Sequence, residues 1–347
     1  MTDIPHQRQT QTRDLPRQGP GTVLVIGAAN MDIAGATPHR LATGDSSPGR
    51  IRYAPGGVAR NVAENLARLG HPVRLLCAVG ADLFGRSVLA QTRSAGVDVD
   101  ACWVDEGEAT STYLSLHGPD GDMVVALNDM AILDRVTPQR LQPHADLVRR
   151  AGVLVLDGNL PEPALVWLFS LGGLPPVFAD PVSAFKCRRF LPWLGRLHTL
   201  KANRLEAEAL CGQPMDSDAA VVAVAHWLHA RGVQQVVLSL GERGAYWSTR
   251  DGLRGWQAAF PVVVANATGA GDALLAGLVH GYLQGALLAD AAGFAAACAA
   301  LTLEAAGANH PGLTVAAVQQ MQQRHPAGTQ DNAPCIHGPA EGAGHLA

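Results

Sequence analysis

The chain predicts an α/β fold: a three-layer α/β/α sandwich with a mostly parallel central sheet and a small β-sheet lid. Three observations carry this reading. Short β-branched runs recur along the chain, helical patterns separate most of them, and one stretch interrupts the alternation with strands that have no helix between them.

The buried strands are expected at TVLVIG (22–27), VRLLCAVG (73–80), GVLVLDG (152–158), PVFAD (176–180), HTLKAN (198–203) and QVVLSLG (235–241). Their near-continuous apolar character suits strands covered on both faces, as in a parallel sheet. A helix is expected over VARNVAENLARLG (58–70), with Gly70 as its stop. The interruption comes from GRIRYAP (49–55), VDVDACWV (97–104) and STYLSLHGPDGDMVVAL (111–127), whose GPDGD reads as a hairpin turn. These segments place lid strands within about 33–55 and 97–127, forming a flap over a small-molecule site or a subunit interface. One domain over 21–324 is expected, between disordered tails at 1–20 and 325–347 that lack an apolar period.

Composition narrows the function. Hydrophobic residues make up 48% of the 347 residues and charged ones 16%, which allows a substantial core. A net charge of −4 with no long basic run excludes nucleic acid as the main partner. Apolar stretches such as AGFAAACAALTL are too short for a bilayer, and the first twenty residues lack the apolar centre of a signal peptide. Six well-separated cysteines without a C-x-x-C pair fit reduced thiols in a cytoplasm.

No phosphate-binding G-x-x-x-x-G-K-[ST] occurs, and the dinucleotide G-x-G-x-x-G fails because Leu274 stands where the third glycine belongs. ANATGAGD (265–272) admits two readings: a glycine turn whose Asp272 merely starts a helix, or an anion cradle with a catalytic carboxylate. In the second, Gly269, Ala270 and Gly271 let a phosphate approach unpaired backbone N–H groups, and Asp272 accepts the proton of an attacking hydroxyl. GGVARN (56–61) opens a helix with two glycines and brings Asn61 within reach of a ligand. GAANMD (27–32) puts Asp32 just beyond the carboxyl edge of the sheet, where an acceptor-only carboxylate suits sugar hydroxyls or caps its own turn. In KANRLEAEAL (201–210), Asn203 and Glu206 have the spacing of a capping box. LSLGERGAYW (238–247), with Ser239 and Gly241, reads as a nucleotide contact or a hairpin turn.

Together and in this order, these stretches resemble the ribokinase-like, or PfkB, family of carbohydrate and nucleoside kinases. GGVARN is similar to the family's N-terminal glycine signature and NATGAGDALLAGL to its C-terminal one, and the likeness spans about 22–315. Within the family, the continuous phrases GAANMDIAG, SSPGRIRYAPGGVARNVAENLARLG, TSTYLSL, ALNDMAI, ADPVSAFKC and LHTLKANRLEAEAL resemble the branch that phosphorylates pseudouridine.

The resemblance implies ATP- and magnesium-dependent transfer to a 5′-hydroxyl, with Asp272 as general base and Gly269, Ala270 and Gly271 as anion hole. It implies that Asp32, Asn30, Gly57 and Asn61 hold the ribose, that Asn159 faces the sugar, and that Thr112 and Asn128 of the lid meet the uracil ring. Asn203, Ser239, Gly241 and Thr268 would border the nucleotide, and Glu206 would place magnesium through water. Two departures stand out. Asn266 replaces the Asp that helps bind potassium in some relatives, so a K⁺ ion there would lack that charge. Asn159 replaces an acidic residue of ribokinases, which changes the hydrogen-bond pattern at the sugar. A homodimer through the lid is expected. The rival readings are a family kinase for ribose, another nucleoside or a keto sugar acid, and a non-catalytic sugar- or nucleoside-binding regulator.

Overall fold

The computed structural model describes residues 21–41 and 44–325, so the tails expected at 1–20 and 325–347 lie outside the described residues apart from His325. From the N-terminus come β1 (Val23–Ile26), β2 (Asn30–Ala36), β3 (Arg50–Gly56) and α1 (Val58–Arg68). Then follow β4 (Val73–Leu76), β5 (Ala78–Gly80), α2 (Leu83–Ser94), β6 (Trp103–Asp105), β7 (Thr112–His117) and β8 (Met123–Asp129). The middle of the chain forms α3 (Pro138–Leu141), α4 (Ala145–Arg150), β9 (Val153–Asp157), α5 (Glu162–Ser170), β10 (Val177–Asp180) and β11 (Thr199–Asn203). It continues with α6 (Arg204–Cys211), α7 (Asp218–Ala230), β12 (Gln235–Ser239), β13 (Ala245–Thr249) and β14 (Arg254–Gln257). The last helices are α8 (Ala270–Leu283), α9 (Leu288–Leu303) and α10 (Val315–Arg324).

The main sheet has eight strands in the order β14-β13-β12-β11-β10-β9-β1-β4. From β4 to β12 every pairing is parallel, and β13 and β14 close the edge antiparallel. Alternate side chains of one strand enter two different cores. Leu24 and Ile26 pack on one side with Leu154 and Leu156, while Val23 and Val25 pack on the other with Val153 and Val155. Both faces are therefore covered, and the three-layer α/β/α fold expected from the sequence is the fold found.

Two segments differ from expectation. VRLLCAVG breaks at Cys77, because β4 pairs with β1 while β5 leaves the main sheet to pair with β6. VDVDACWV consequently supplies β6 beside the body and no lid strand.

The lid is a four-stranded sheet in the order β3-β2-β7-β8. Register divides its two faces. Asp32 lies opposite Ala54 and Tyr113, and Tyr113 opposite Asn128, so these side chains share one face. Tyr53, Ile33, Leu114 and Leu127 align on the other, where Tyr53 is 71% and Leu127 69% exposed.

Candidate active site

The carboxyl ends of the parallel strands converge where β1 runs into β2 and α1 begins, the edge at which open α/β sheets bind ligands. Asp157, the last residue of β9, organises the junction. Its buried carboxylate accepts hydrogen bonds from the N–H groups of Ala28 (2.9 Å), Ala59 (3.0 Å) and Asn159 (2.9 Å). One side chain thus ties the end of β1, the start of α1 and the turn after β9 together. Burial pushes its pKa up, and these N–H donors oppose that by favouring the anion.

The glycine pair before α1 has a steric role. Gly57 has φ 98, and a Cβ there would sit 2.5 Å from the Ala28 carbonyl oxygen. A Cβ on Gly56 would overlap the Asp32 carboxylate. Asp32 therefore occupies the space that the missing side chain leaves. It stands on the first lid strand rather than in a loop beyond β1, and the Asn30 amide donates to its Oδ1. Burial raises its pKa to about 6, against the lowering effect of Asn30 and Arg60.

Asn61, in the first turns of α1, donates from Nδ2 to Asp272 Oδ2 at 2.8 Å. Arg60 fixes the amide's orientation, because its guanidinium donates to Asn61 Oδ1 at 2.9 Å. Arg60 is held in turn by Asn309 Oδ1 (2.7 Å) and an ion pair with Glu64. Asp272 lies in the first turn of α8 and is buried. Its pKa is pushed to about 7, first by burial and then by the charge of Asp180, with Asn61 and Lys201 acting the other way. A carboxyl titrating near neutrality can both accept and release a proton.

Helix α8 starts at Gly269, whose φ of 82 is left-handed and whose Cβ would overlap the Ala308 carbonyl oxygen. No side chain caps this end, and the first intrahelical bond joins the Ala273 N–H to the Gly269 carbonyl. The N–H groups of Gly269, Ala270, Gly271 and Asp272 are thus the donors of the helix start without an intrahelical partner, the stretch expected to form the anion hole. A Cβ on Gly271 would lie 2.7 Å from Lys201 Nζ, so the glycine makes room for that ammonium.

Sequence reasoning missed Lys201 and Asp180. Lys201 Nζ pairs with Asp180 Oδ2 at 2.8 Å, both nearly fully buried. Burial alone would lower the lysine's pKa, but the charges of Asp180, Glu206 and Asp272 more than offset it and keep the ammonium charged. Glu206 is raised to about 7 by burial and by Asp180, and lowered by Lys201 and Asn203. The capping box read from spacing is formed. Asn203 Oδ1 accepts from the Glu206 N–H, and Glu206 Oε2 accepts from the Asn203 N–H, each at 2.9 Å.

On the far side of α8 opens a cleft of about 530 Å³. Lys201, Asn203, Ser239 and Gly241 border its polar end, and Leu240, Phe260, Leu274 and Leu303 supply an apolar wall. Gly241 and Gly244 turn the chain from β12 into β13, so LSLGERGAYW is a hairpin connection and a cleft wall at once. Thr268, expected here, is exposed and outside the lining, where Ala267 and Ala270 stand instead.

The Asn266 side chain, expected as a possible cation ligand, is neutral and already makes two hydrogen bonds. Its Oδ1 accepts from the Thr268 N–H at 2.9 Å, and its amide donates to the Ala306 carbonyl at 3.2 Å. Among the described residues no group of three or more His, Cys, Asp or Glu is placed to hold a metal. The lid residues also separate. Asn128 shares the face of Asp32, whereas Thr112 lies on the opposite face with Met31 and lines a second cavity with Asp82, Thr110 and Asp129. Asn159 is buried in the turn after β9, with its side-chain oxygen accepting from Lys186 Nζ at 2.5 Å.

Comparison with known proteins identifies the family. The model of the pfkB family carbohydrate kinases matches residues 21–315. The pseudouridine kinase of Escherichia coli (strain K12) is 45% identical over 296 residues, covering 85% of this chain and 95% of that protein. A second E. coli K12 protein, the uncharacterized sugar kinase YeiI, is 42% identical over 84% of this chain and 80% of its own. A sugar kinase of Clostridium perfringens superposes with a TM-score of 0.78 at 30% identity, covering 89% of this chain and 97% of that one. Arabidopsis thaliana ribokinase, solved with ribose and ATP, superposes equally well at 0.78 over 88% of this chain and 99% of its own, but at 22% identity supports the fold alone. The chain belongs to the pfkB family of carbohydrate kinases and is a phosphotransferase with an alcohol group as acceptor.

Proposed function

We propose that the protein transfers the γ-phosphoryl group of ATP to the 5′-hydroxyl of pseudouridine. The observation that carries the chemistry is Asp272, held by Asn61 at the start of α8 between the Asp32 side of the site and the cleft of about 530 Å³. In this reading the acceptor lies under the lid with its hydroxyls on Asp32, Asn30 and Asn61, and its 5′-hydroxyl on Asp272. The nucleotide fills the cleft with its base on the apolar wall. Asp272 takes the hydroxyl proton as the oxygen attacks in line. The N–H groups of Gly269, Ala270, Gly271 and Asp272, with the Lys201 ammonium behind them, balance the charge of the moving phosphoryl group.

The donor set fits magnesium in one way. Both oxygens of Glu206 already serve the cap, leaving it to hold an ion through water, with Asn203 beside it. When bound, that ion would neutralise phosphate charge. Asn266 argues for a reaction without a potassium requirement, since its amide brings no negative charge to a cation and donates to the Ala306 carbonyl. The apolar lid face with Tyr53 and Leu127 supports a homodimer joined through the lid. Among the described residues no helix is long and apolar enough to cross a membrane, and we place the enzyme in the cytoplasm.

The choice of pseudouridine rests on the 45% identity to the E. coli enzyme over nearly its full length. The 42% identity to YeiI supports a second reading, the same chemistry on another sugar or nucleoside. The purified protein with Mg-ATP, offered pseudouridine, uridine and ribose, separates them. Preferred turnover of pseudouridine is expected, and preferred turnover of another acceptor replaces the substrate while keeping the kinase.

A further inference from the structure

Only two of the 26 basic residues are lysines, Lys186 and Lys201; every other cation is arginine. Lys201 is the third of the five residues of β11, and Lys186 follows β10. Lys201 closes the phosphate end, paired with Asp180 against Gly271. Lys186 stands on the loop that follows β10, with its ammonium on Asn159.

That loop is built to hold a position. Val182 has φ 69, the one non-glycine residue in the left-handed region among the described residues, and it is β-branched, which makes the conformation costly. Its N–H donates to Asp180 Oδ1 at 2.8 Å, while Oδ2 of the same carboxylate takes Lys201. The loop backbone presses on the turn after β9, where a Cβ on Gly158 would overlap the Pro181 carbonyl. Arg189 clamps that turn by donating to the carbonyls of Gly158, Asn159 and Leu160, each at 3.0 Å. Ser183 Oγ accepts from the Lys186 N–H at 3.2 Å.

The result is a half-buried ammonium fixed beside Asn159. A lysine can only donate, so the Asn159 atom that faces it is the oxygen. One of the three N–H donors is used there, leaving two for a ligand or solvent. The hydroxyls of a sugar can be read by the carboxylates of Asp32 and Asp272, but a carbonyl oxygen can be read only by a donor. A compact ammonium serves one such oxygen, whereas the planar fork of arginine would need a paired acceptor and more room.

We propose that Lys186 is an acceptor-specificity residue, donating a hydrogen bond to a ring carbonyl oxygen of the bound nucleoside. The proposal deepens the reading of the protein as a nucleoside kinase and rests on it. It distinguishes a carbonyl-bearing base from a sugar with nothing at that position.

Two measurements test it. Acylation of the full-length protein with an amine-selective reagent, read by peptide mass spectrometry, should modify Lys186 and spare the buried Lys201. Pseudouridine should slow labelling of Lys186 severalfold, while ribose should leave it unchanged. Lys186→Met should lower kcat/KM for pseudouridine about 10- to 100-fold, mainly through KM, with the KM for ATP unchanged and the melting temperature lowered by only a few degrees as Asn159 loses its donor. Equal protection by ribose, or a kcat/KM within about twofold of wild type, overturns the proposal. Wild-type protein that turns over a different carbonyl-bearing nucleoside refutes the pseudouridine reading alone and moves both tests to that nucleoside. Activity on base-free sugars only overturns both.

Discussion

The amide of Asn61 donates to the carboxylate of Asp272 at 2.8 Å, joining the two glycine-signature regions of the chain across 211 residues. Asn61 enters from α1 and Asp272 from α8, so a single contact ties the start of one helix to the start of the other. Removing the acid without changing its shape isolates its role. Asp272→Asn should lower kcat about 10²–10⁴-fold, the range of a lost general base, while ATP analogue binding measured by calorimetry stays near wild type. Turnover close to wild type would remove Asp272 as the base.

Proton abstraction requires the ionised carboxylate, and Asp272 is held protonated up to about pH 7 by burial and by Asp180. The sign follows directly: kcat/KM should fall as pH is lowered through about 7, because protonation disables the base. Asn61 favours the ionised form, so Asn61→Ala should move this acidic limb to higher pH. The pH profile of kcat/KM, which reports the free enzyme, checks both statements.

How much of this was legible before folding varies with the kind of signal. The apolar runs of β1, β9 and β10 declared a buried parallel sheet, and ANATGAGD with GGVARN marked the two helix starts that meet at Asn61 and Asp272. Lys201 and Asp180 stand in the quoted stretches KANRLEAEAL and ADPVSAFKC, but nothing in either stretch pairs one with the other. Their trace was positional, a charged residue within or closing an apolar strand, and its meaning depended on β10 and β11 becoming neighbours. Thr112 parts from Asn128 for a different reason. Which face a strand residue takes depends on register, and a slip of one residue reverses it. The Tyr113–Asn128 pairing, followed by the irregularity at Leu116 and His117, was invisible in the hairpin sequence. The same register reveals Tyr113 as the lid residue beside Asp32.

Gly269 offers a test of the helix start itself. An alanine there meets two penalties, a left-handed φ of 82 and overlap with the Ala308 carbonyl. Gly121, in the lid turn, has a similar φ of 85 but nothing within 4 Å of an added Cβ. Gly121→Ala should therefore cost about 1 kcal/mol from backbone conformation alone. Gly269→Ala should cost roughly 3 kcal/mol or more and lower the melting temperature further. Equal melting temperatures for the two variants would show that α8 starts elsewhere.

At Asn266 the amide donates to the Ala306 carbonyl, the kind of oxygen that a monovalent cation would otherwise need. Turnover should thus be the same in potassium as in a bulky organic cation at equal ionic strength. Asn266→Asp removes the donor and adds a charge, so this variant should gain potassium stimulation. Wild-type activity that rises severalfold with potassium would mean that the ion sits on other oxygens.

The two faces of the lid make opposite predictions for assembly. Leu127 and Tyr53 lie on the apolar face, 69% and 71% exposed, where unfilled apolar area favours a second copy of the chain. A charge at the centre of such a contact would be buried without a partner, which costs more than the lost packing. If the protein is the lid-joined dimer proposed above, wild type should sediment as a dimer and Leu127→Lys as a monomer. Asn128→Lys places the same charge one residue along the strand but on the Asp32 face, so it should leave the dimer intact and raise the KM for the acceptor. A dimer that survives Leu127→Lys would locate the subunit contact away from the lid.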